Sequence, residues 1–190
     1  NTGIGASSGI ETIAIQPDNK IIIGGLFTSF NGANVNYIAR LNPDGSIDNS
    51  FNIGTGFSNY VTSIVVDPDN KVLIGGAFVS YNGNTVKFIL RLNEDGSIDN
   101  SFNTTSVNGI ITKIALQSNG YICVGGTFSS FNGSSIKSFV RLLSTGALDN
   151  SFDLGQGVSG YVLNLNENIL AIAFKPDGSI LIGGNFTIVN

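Results

Sequence analysis

The 190-residue sequence has no histidine and no methionine, one cysteine and four prolines. Without histidine there is no Ser-His-Asp or Cys-His catalysis and no His-ligated metal site. The lone Cys123 leaves no internal disulfide. Its counterparts in the repeat set out below are Ile22 and Leu73, which marks it as a buried apolar residue rather than a reactive thiol. Charge is scarce. Asp, Glu, Lys and Arg make up 12 % of the residues, the net charge is −4, and no basic block occurs. That argues against nucleic acid, which needs a Lys/Arg footprint, and against an anionic membrane surface. The apolar runs are strand-sized, so no stretch is long enough for a membrane-spanning helix. No signal peptide is visible. The missing methionine, with a start and a stop in different phases of the repeat, reads as a segment of a longer polypeptide.

Glycine, by contrast, is abundant at 25 copies, and apolar residues reach 42 %. Such a chain buries a core and turns often. One unit recurs along it. Residues 20–52 read KIIIGGLFTSFNGANVNYIARLNPDGSIDNSFN, and residues 71–103 read KVLIGGAFVSYNGNTVKFILRLNEDGSIDNSFN. Residues 121–153 read YICVGGTFSSFNGSSIKSFVRLLSTGALDNSFD, and a fourth copy starts at Ser179 as SILIGGNFTIVN. Upstream of each lies a segment with apolar residues at every second position: IETIAIQ from Ile10, VTSIVVD from Val61, ITKIALQ from Ile111 and ILAIAFK from Ile169. Period-two spacing predicts a strand. A turn follows, as in Pro17-Asp18-Asn19, where Pro sets the first φ and Asn or Gly tolerates φ > 0.

The next run is β-branched and ends in Gly-Gly at 24–25, 75–76, 125–126 and 183–184. Glycine inside a strand marks a bulge or the close approach of another backbone. A phosphate-binding loop would need a helix after it, and none follows. Asn31-Gly32, Asn82-Gly83 and Asn132-Gly133 are hairpin turns by composition, leading into a third strand over 35–42, 86–93 and 136–143. A third turn, Pro43-Asp44-Gly45 and its copies, leads to a fourth strand.

Three tight turns joining four strands make an antiparallel meander of about 50 residues, the dimensions of a β-propeller blade. The pattern IAIQPD-K-IIIGG-F-NG-IARLN-DGS-D-SFN resembles the delta-60 repeat family of β-propeller-type proteins, and the double Gly before an aromatic is loosely kelch-like. The resemblance covers essentially the whole chain. It implies an all-β propeller of bacterial or bacteriophage origin and no shared catalytic motif. The expected organisation is about three and a half four-stranded blades, with units near 1–51, 52–102, 103–152 and an incomplete 153–190. Such a set cannot close a ring. The rest of a larger propeller outside this segment is the preferred completion, and another chain supplying blades is the alternative.

Asn42-Pro43-Asp44-Gly45-Ser46-Ile47-Asp48 looks like the end of a calcium loop, with ligands Asn42, Asp44 and Asp48, repeated as Asn93, Asp95 and Asp99. However, the first carboxylate position holds Arg40 or Arg91, and in the third copy the middle ligands become Leu143 and Thr145. A three-residue hairpin loop instead sets Arg40 opposite Asp48, Arg91 opposite Asp99 and Arg141 opposite Asp149. Arg and Asp persist together where the loop acids are lost, as a cross-strand ion pair requires. Contacts within each of these pairs are the expectation. Phe30, Tyr81 and Phe131, just before the Asn-Gly turns, are candidates for stacking on sugars or for packing between blades. No catalytic constellation breaks the repeat. Its one break is a seven-residue insertion around 160–166, with Glu167 beside it.

The reading is a non-enzymatic structural or binding module, without cofactor, of a larger bacterial surface or bacteriophage virion protein. Expected partners are protein or glycan, with homo-oligomer or larger assembly as an option. The alternative is a carbohydrate-active enzyme whose acids lie outside this segment.

Overall fold

Alternating apolar residues and left-handed turn residues build a chain of short antiparallel strands. The computed structural model describes residues 3–104, 106–153, 158–159 and 168–189. It divides into two compact units, Asn1–Asp99 and Asn100–Asn190. Among the described residues no helix is long and apolar enough to cross a membrane.

The first unit holds β1 (Ile10–Ile15), β2 (Ile21–Gly25), β3 (Ser29–Phe30), β4 (Ala33–Asn34) and β5 (Ile38–Leu41). The same five recur as β6 (Val61–Val66), β7 (Val72–Gly76), β8 (Ser80–Tyr81), β9 (Asn84–Thr85) and β10 (Ile89–Leu92). Their sheets run β1-β2-β5 and β6-β7-β10. Asn19 and Asn70 take φ of 65° and 61° in the first turns, the left-handed region the sequence assigned to them. The register shifts between Ile10 and Thr12, and again between Val61 and Ser63. This bulge leaves one first-strand residue per blade unpaired and bends the strand.

Each blade differs from the expected meander in two ways. The fourth strand is a single bridge, Leu41 to Ile47 and Leu92 to Ile98, so each sheet has three regular strands. The Asn-Gly turns do not join strands two and three directly. They sit at the tips of separate two-residue hairpins, β3-β4 and β8-β9. Tyr37 and Phe88, at φ of 69° and 62°, redirect the chain from that hairpin into the third strand.

The core of this unit lies between its two sheets. Ile22 and Ile38 of the first pack with Val61, Ile64, Val72 and Ile74 of the second. The second unit contains β11 (Ile111–Leu116), β12 (Ile122–Gly126) and β13 (Phe139–Leu142) in one sheet. It also contains β14 (Val158–Ser159), β15 (Asn168–Phe174), β16 (Ile180–Asn185) and β17 (Ile188–Val189), paired β15-β16 and β14-β17. Cys123 and Phe139 form its core with Val158 and Ile169. Both units are therefore all-β and built from antiparallel strands, without a helix among the described residues.

Candidate functional site

The charged residues that recur in every copy converge at the third turn of each blade. Asn42 N–H donates to the Ser46 carbonyl at 2.8 Å and Asp48 N–H to the Arg40 carbonyl at 2.8 Å. With Leu41 bridged to Ile47, this register sets Arg40 opposite Asp48. Arg40 Nε donates to Asp48 Oδ2 at 2.8 Å. The same contact is 2.7 Å for Arg91–Asp99 and 2.7 Å for Arg141–Asp149. All three aspartates are buried.

Further groups that the sequence did not single out complete the cluster. Lys20 Nζ lies 3.1 Å from Asp48 Oδ2, and Lys71 Nζ lies 2.8 Å from Asp99 Oδ2. Asp48 Oδ1 accepts from Ser50 N–H at 2.9 Å and from Ser50 Oγ at 2.7 Å. Arg40 Nη2 donates to that same Oγ at 3.0 Å, and its guanidinium sits 4.7 Å from the Phe51 ring centre. In the third copy Tyr121 replaces the lysine. Arg141 then lies 4.5 Å from the Tyr121 ring centre and 4.4 Å from that of Phe152, so cation–π contact takes the place of the second cation. The recurring Asp-Asn-Ser-Phe string was the available signal for Ser50 and Phe51.

Burial pushes the Asp48 carboxyl upward. The hydrogen bonds from Ser50 and Lys20, with the Arg40 charge, outweigh it and hold the group well below the ordinary carboxylate range. For Asp149 the Ser151 hydroxyl lowers the value most, against burial and alongside Arg141. Both aspartates are thus fixed anions at neutral pH and cannot exchange protons near pH 7.

Arg40 also ties two blades together inside the first unit. Its Nη1 donates to the Glu94 carbonyl at 2.6 Å, and Asn52 N–H donates to the Asp95 carbonyl at 2.8 Å. Gln16 adds a bond from Nε2 to Asn70 Oδ1 at 2.8 Å. Arg141 also lines a depression of about 270 Å³ with Phe139, Leu148, Asp149 and Phe152 among others.

The loop acids of the calcium alternative are engaged elsewhere. Asp44 Oδ1 accepts from Ser46 N–H at 2.9 Å and Ser46 Oγ at 2.6 Å, and Asp95 binds Ser97 in the same way at 2.9 and 2.6 Å. These bonds make an Asx turn around left-handed Gly45 and Gly96 and lower both carboxyls. Asn42 Nδ2 and Asn93 Nδ2 donate to the Ser46 and Ser97 hydroxyls. Asp48 and Asp99 turn instead to Arg40 and Arg91. Among the described residues no group of three or more His, Cys, Asp or Glu could hold a metal ion.

The three candidate aromatics do not form an open platform. Tyr81 and Phe131 are fully buried and Phe30 is half-buried. Tyr81 stacks at a tilt on Phe57, 4.6 Å between ring centres, and its hydroxyl donates to the Gly96 carbonyl at 2.7 Å. Phe131 packs edge-on to Phe128 at 5.4 Å. Each aromatic is bridged to the segment that enters its blade, through Ala6, Phe57 or Val107. Ser7 Oγ, Ser58 Oγ and Asn108 Oδ1 each accept from two consecutive backbone N–H groups in that region. The entering segment thus belongs to the blade. The insertion around 160–166 and Glu167 lie outside the described residues.

A family model described as a domain of unknown function (DUF5122) beta-propeller matches residues 16–51, 68–102 and 117–152, together more than half of the chain. No curated protein matches it. Among solved structures, the chain resembles one described as the extracellular domain of a one component system from B. thetaiotaomicron. The TM-score is 0.56 at 15 % identity, over 93 % of this chain and 20 % of that one. At that identity the likeness shows the fold. The chain spans a fifth of that structure's length.

Proposed function

The chain belongs to the DUF5122 beta-propeller family, and on that premise we propose that it is a non-enzymatic scaffold or binding module of a larger protein exposed outside the cell or on a virion. One observation carries this reading. The recurring charged groups are spent on holding blades: Arg40, Lys20 and Ser50 on Asp48, and the Asp44 and Asp95 carboxylates on their own turns. A hydrolytic propeller needs two carboxylates free to converge on a substrate, and these acids are anions committed to neighbours within their own blades. The extracellular domain of similar fold supports an extracellular setting. The finer reading is a delta-60-type repeat of a bacterial surface or tail-fibre protein that meets a protein or glycan through its exposed turn tips. The test is reducing-sugar release from bacterial polysaccharides by the longer protein that carries this chain. No release is expected. Release that a single Asp→Asn change abolishes would overturn the proposal in favour of a carbohydrate-active enzyme.

A further inference from the structure

Asn-Gly dipeptides occur at 31–32, 82–83, 108–109, 119–120 and 132–133. In each, the glycine amide nitrogen lies next to the asparagine side chain with no Cβ of its own to shield it. The covalent chemistry is the same at every one of them, and the fold treats them differently.

Asn82 and Gly83 are both exposed at the β8-β9 tip. Asn82 N–H donates to the Gly56 carbonyl at 2.9 Å, and its Oδ1 accepts from Thr55 N–H at 3.3 Å. The side-chain amide fills the place that a side chain on Gly54 would take. Cγ is thus held in position, and its oxygen faces a donor that stabilises negative charge developing there. Neither Nδ2 of Asn82 nor Gly83 N–H makes a hydrogen bond among the described residues. Gly83 is kept in its turn by strands of two residues each, Ser80–Tyr81 and Asn84–Thr85, which open at little cost. Asn31 repeats the arrangement at the β3-β4 tip. Its N–H donates to the Gly5 carbonyl at 2.9 Å, its Oδ1 accepts from Gly5 N–H at 2.8 Å, and Gly32 is exposed.

The other dipeptides are restrained. Gly120 N–H donates to the Gln117 carbonyl at 2.9 Å, which withholds that nitrogen. Asn108 Oδ1 accepts from Ser129 and Ser130 N–H at 2.9 Å each, and its Nδ2 donates to Ser129 Oγ at 2.9 Å. Asn132 is half-buried, and its Nδ2 donates to the Gly146 carbonyl at 3.3 Å.

We propose that Asn82 and Asn31 are sites of spontaneous deamidation in the folded protein. The glycine nitrogen loses its proton and attacks Cγ of the asparagine. The Cγ–Nδ2 bond breaks, and the leaving nitrogen takes up a proton and departs as ammonia. Water then opens the resulting succinimide at one of its two carbonyls, giving aspartate or isoaspartate. Either product adds a negative charge to a neutral tip. Isoaspartate also inserts a main-chain carbon, which breaks the register of Asn82 with Gly56 and Thr55. The tip then comes away from the segment that enters its blade, irreversibly and at a rate set by the fold.

The test compares positions within one molecule. The longer protein that carries this chain is incubated at neutral pH, folded and in urea. Peptide mapping by mass spectrometry, with an isoaspartate-specific methyltransferase, follows each asparagine. In the folded protein, conversion at Asn82 and Asn31 is expected to be at least about tenfold faster than at Asn108, Asn119 and Asn132. In urea all of them should convert within about threefold of one another, because the restraints are gone. Folded-state conversion of Asn108, Asn119 or Asn132 as fast as that of Asn82 would overturn the proposal. So would silence at either tip in the folded protein while the unfolded protein reacts.

Discussion

Replacing Gly125 with alanine tests most directly whether the Gly-Gly pairs mark the close approach of a neighbouring strand. Gly125 is buried in β12 and has no left-handed φ, so alanine brings no backbone strain. The penalty is steric. The new Cβ would overlap Ile169 Cβ and lie 2.6 Å from Ile169 Cγ2. Carbon atoms rest at about 3.5–4.0 Å, so roughly 1 Å of movement is required. Ile169 Cβ is attached to the main chain, and a rotamer change cannot withdraw it. Overpacking of this kind costs about 1–3 kcal/mol, and the lost freedom of the unfolded chain returns about 0.4–1 kcal/mol. The upper part of the range applies to a backbone-fixed clash, which leaves about 2 kcal/mol of net destabilisation.

The assay is urea unfolding followed by circular dichroism. With a slope of about 2 kcal/mol per molar, the midpoint falls by about 1 M with the slope unchanged. In a thermal scan the midpoint falls by about 4–8 °C. Gly183→Ala is the internal control, because its Cβ meets Ala171 at an ordinary 3.8 Å. It stays within about 0.5 kcal/mol of wild type. Gly24→Ala falls between the two, since its nearest obstacles, Val61 Cγ1 and Ile64 Cδ1, are side-chain tips that can rotate. Ile169→Gly, which removes that Cβ, combined with Gly125→Ala, costs less than the sum of the single changes by about 1 kcal/mol. Equal midpoints for Gly125→Ala and Gly183→Ala would refute the reasoning, and the Gly-Gly pairs would then need a different explanation.

Removing one partner from the buried cluster with Arg40→Met costs about 3 kcal/mol, and Arg40→Met/Asp48→Leu costs less than the two changes added; urea midpoints of the four proteins decide it. The folded-state values of Asp48 and Asp149 lie below the ordinary 3.8. Their contribution is therefore complete above that value and is lost as pH falls through it and on towards the folded values. Urea midpoints should hold from pH 7 to about 5 and drop below about pH 4, less steeply in Asp149→Asn; a rise on acidification would contradict the assignment. Burial pushes the Cys123 thiol up to about 12, against the lowering effect of Arg141. Ellman's reagent at pH 8 should therefore leave the native chain unmodified and titrate one thiol in urea, and fast labelling of the folded protein would contradict the buried assignment.

What the sequence revealed, and what it hid, divides along one physical line. Arg40 and Asp48 could be matched in advance because both partners are side chains that recur together while the loop between them changes. The left-handed turns were legible because Asn19, Asn70 and Gly120 are residue types that tolerate φ > 0. The turn into the third strand was not. Tyr37, Phe88 and Ser138 take φ of 69°, 62° and 63° there, yet they share no chemistry and two are bulky aromatics. Tertiary contacts hold that conformation: Tyr37 N–H donates to the Phe27 carbonyl at 2.8 Å, and its carbonyl accepts from Gly25 N–H at 3.1 Å. Backbone acceptors carry no residue identity, and the same limit hid the Arg40 bond to the Glu94 carbonyl. It also made the fourth strand look regular. Apolar spacing places Ile47 against Leu41, but the Asp48 side chain folds back onto Ser50, and Asn52 N–H is claimed by the Asp95 carbonyl of the neighbouring blade. The segment is pulled off its own sheet after one bridge. An inter-blade latch therefore outweighs local strand preference, and the same trade recurs where Asn103 N–H is claimed by the Thr145 carbonyl.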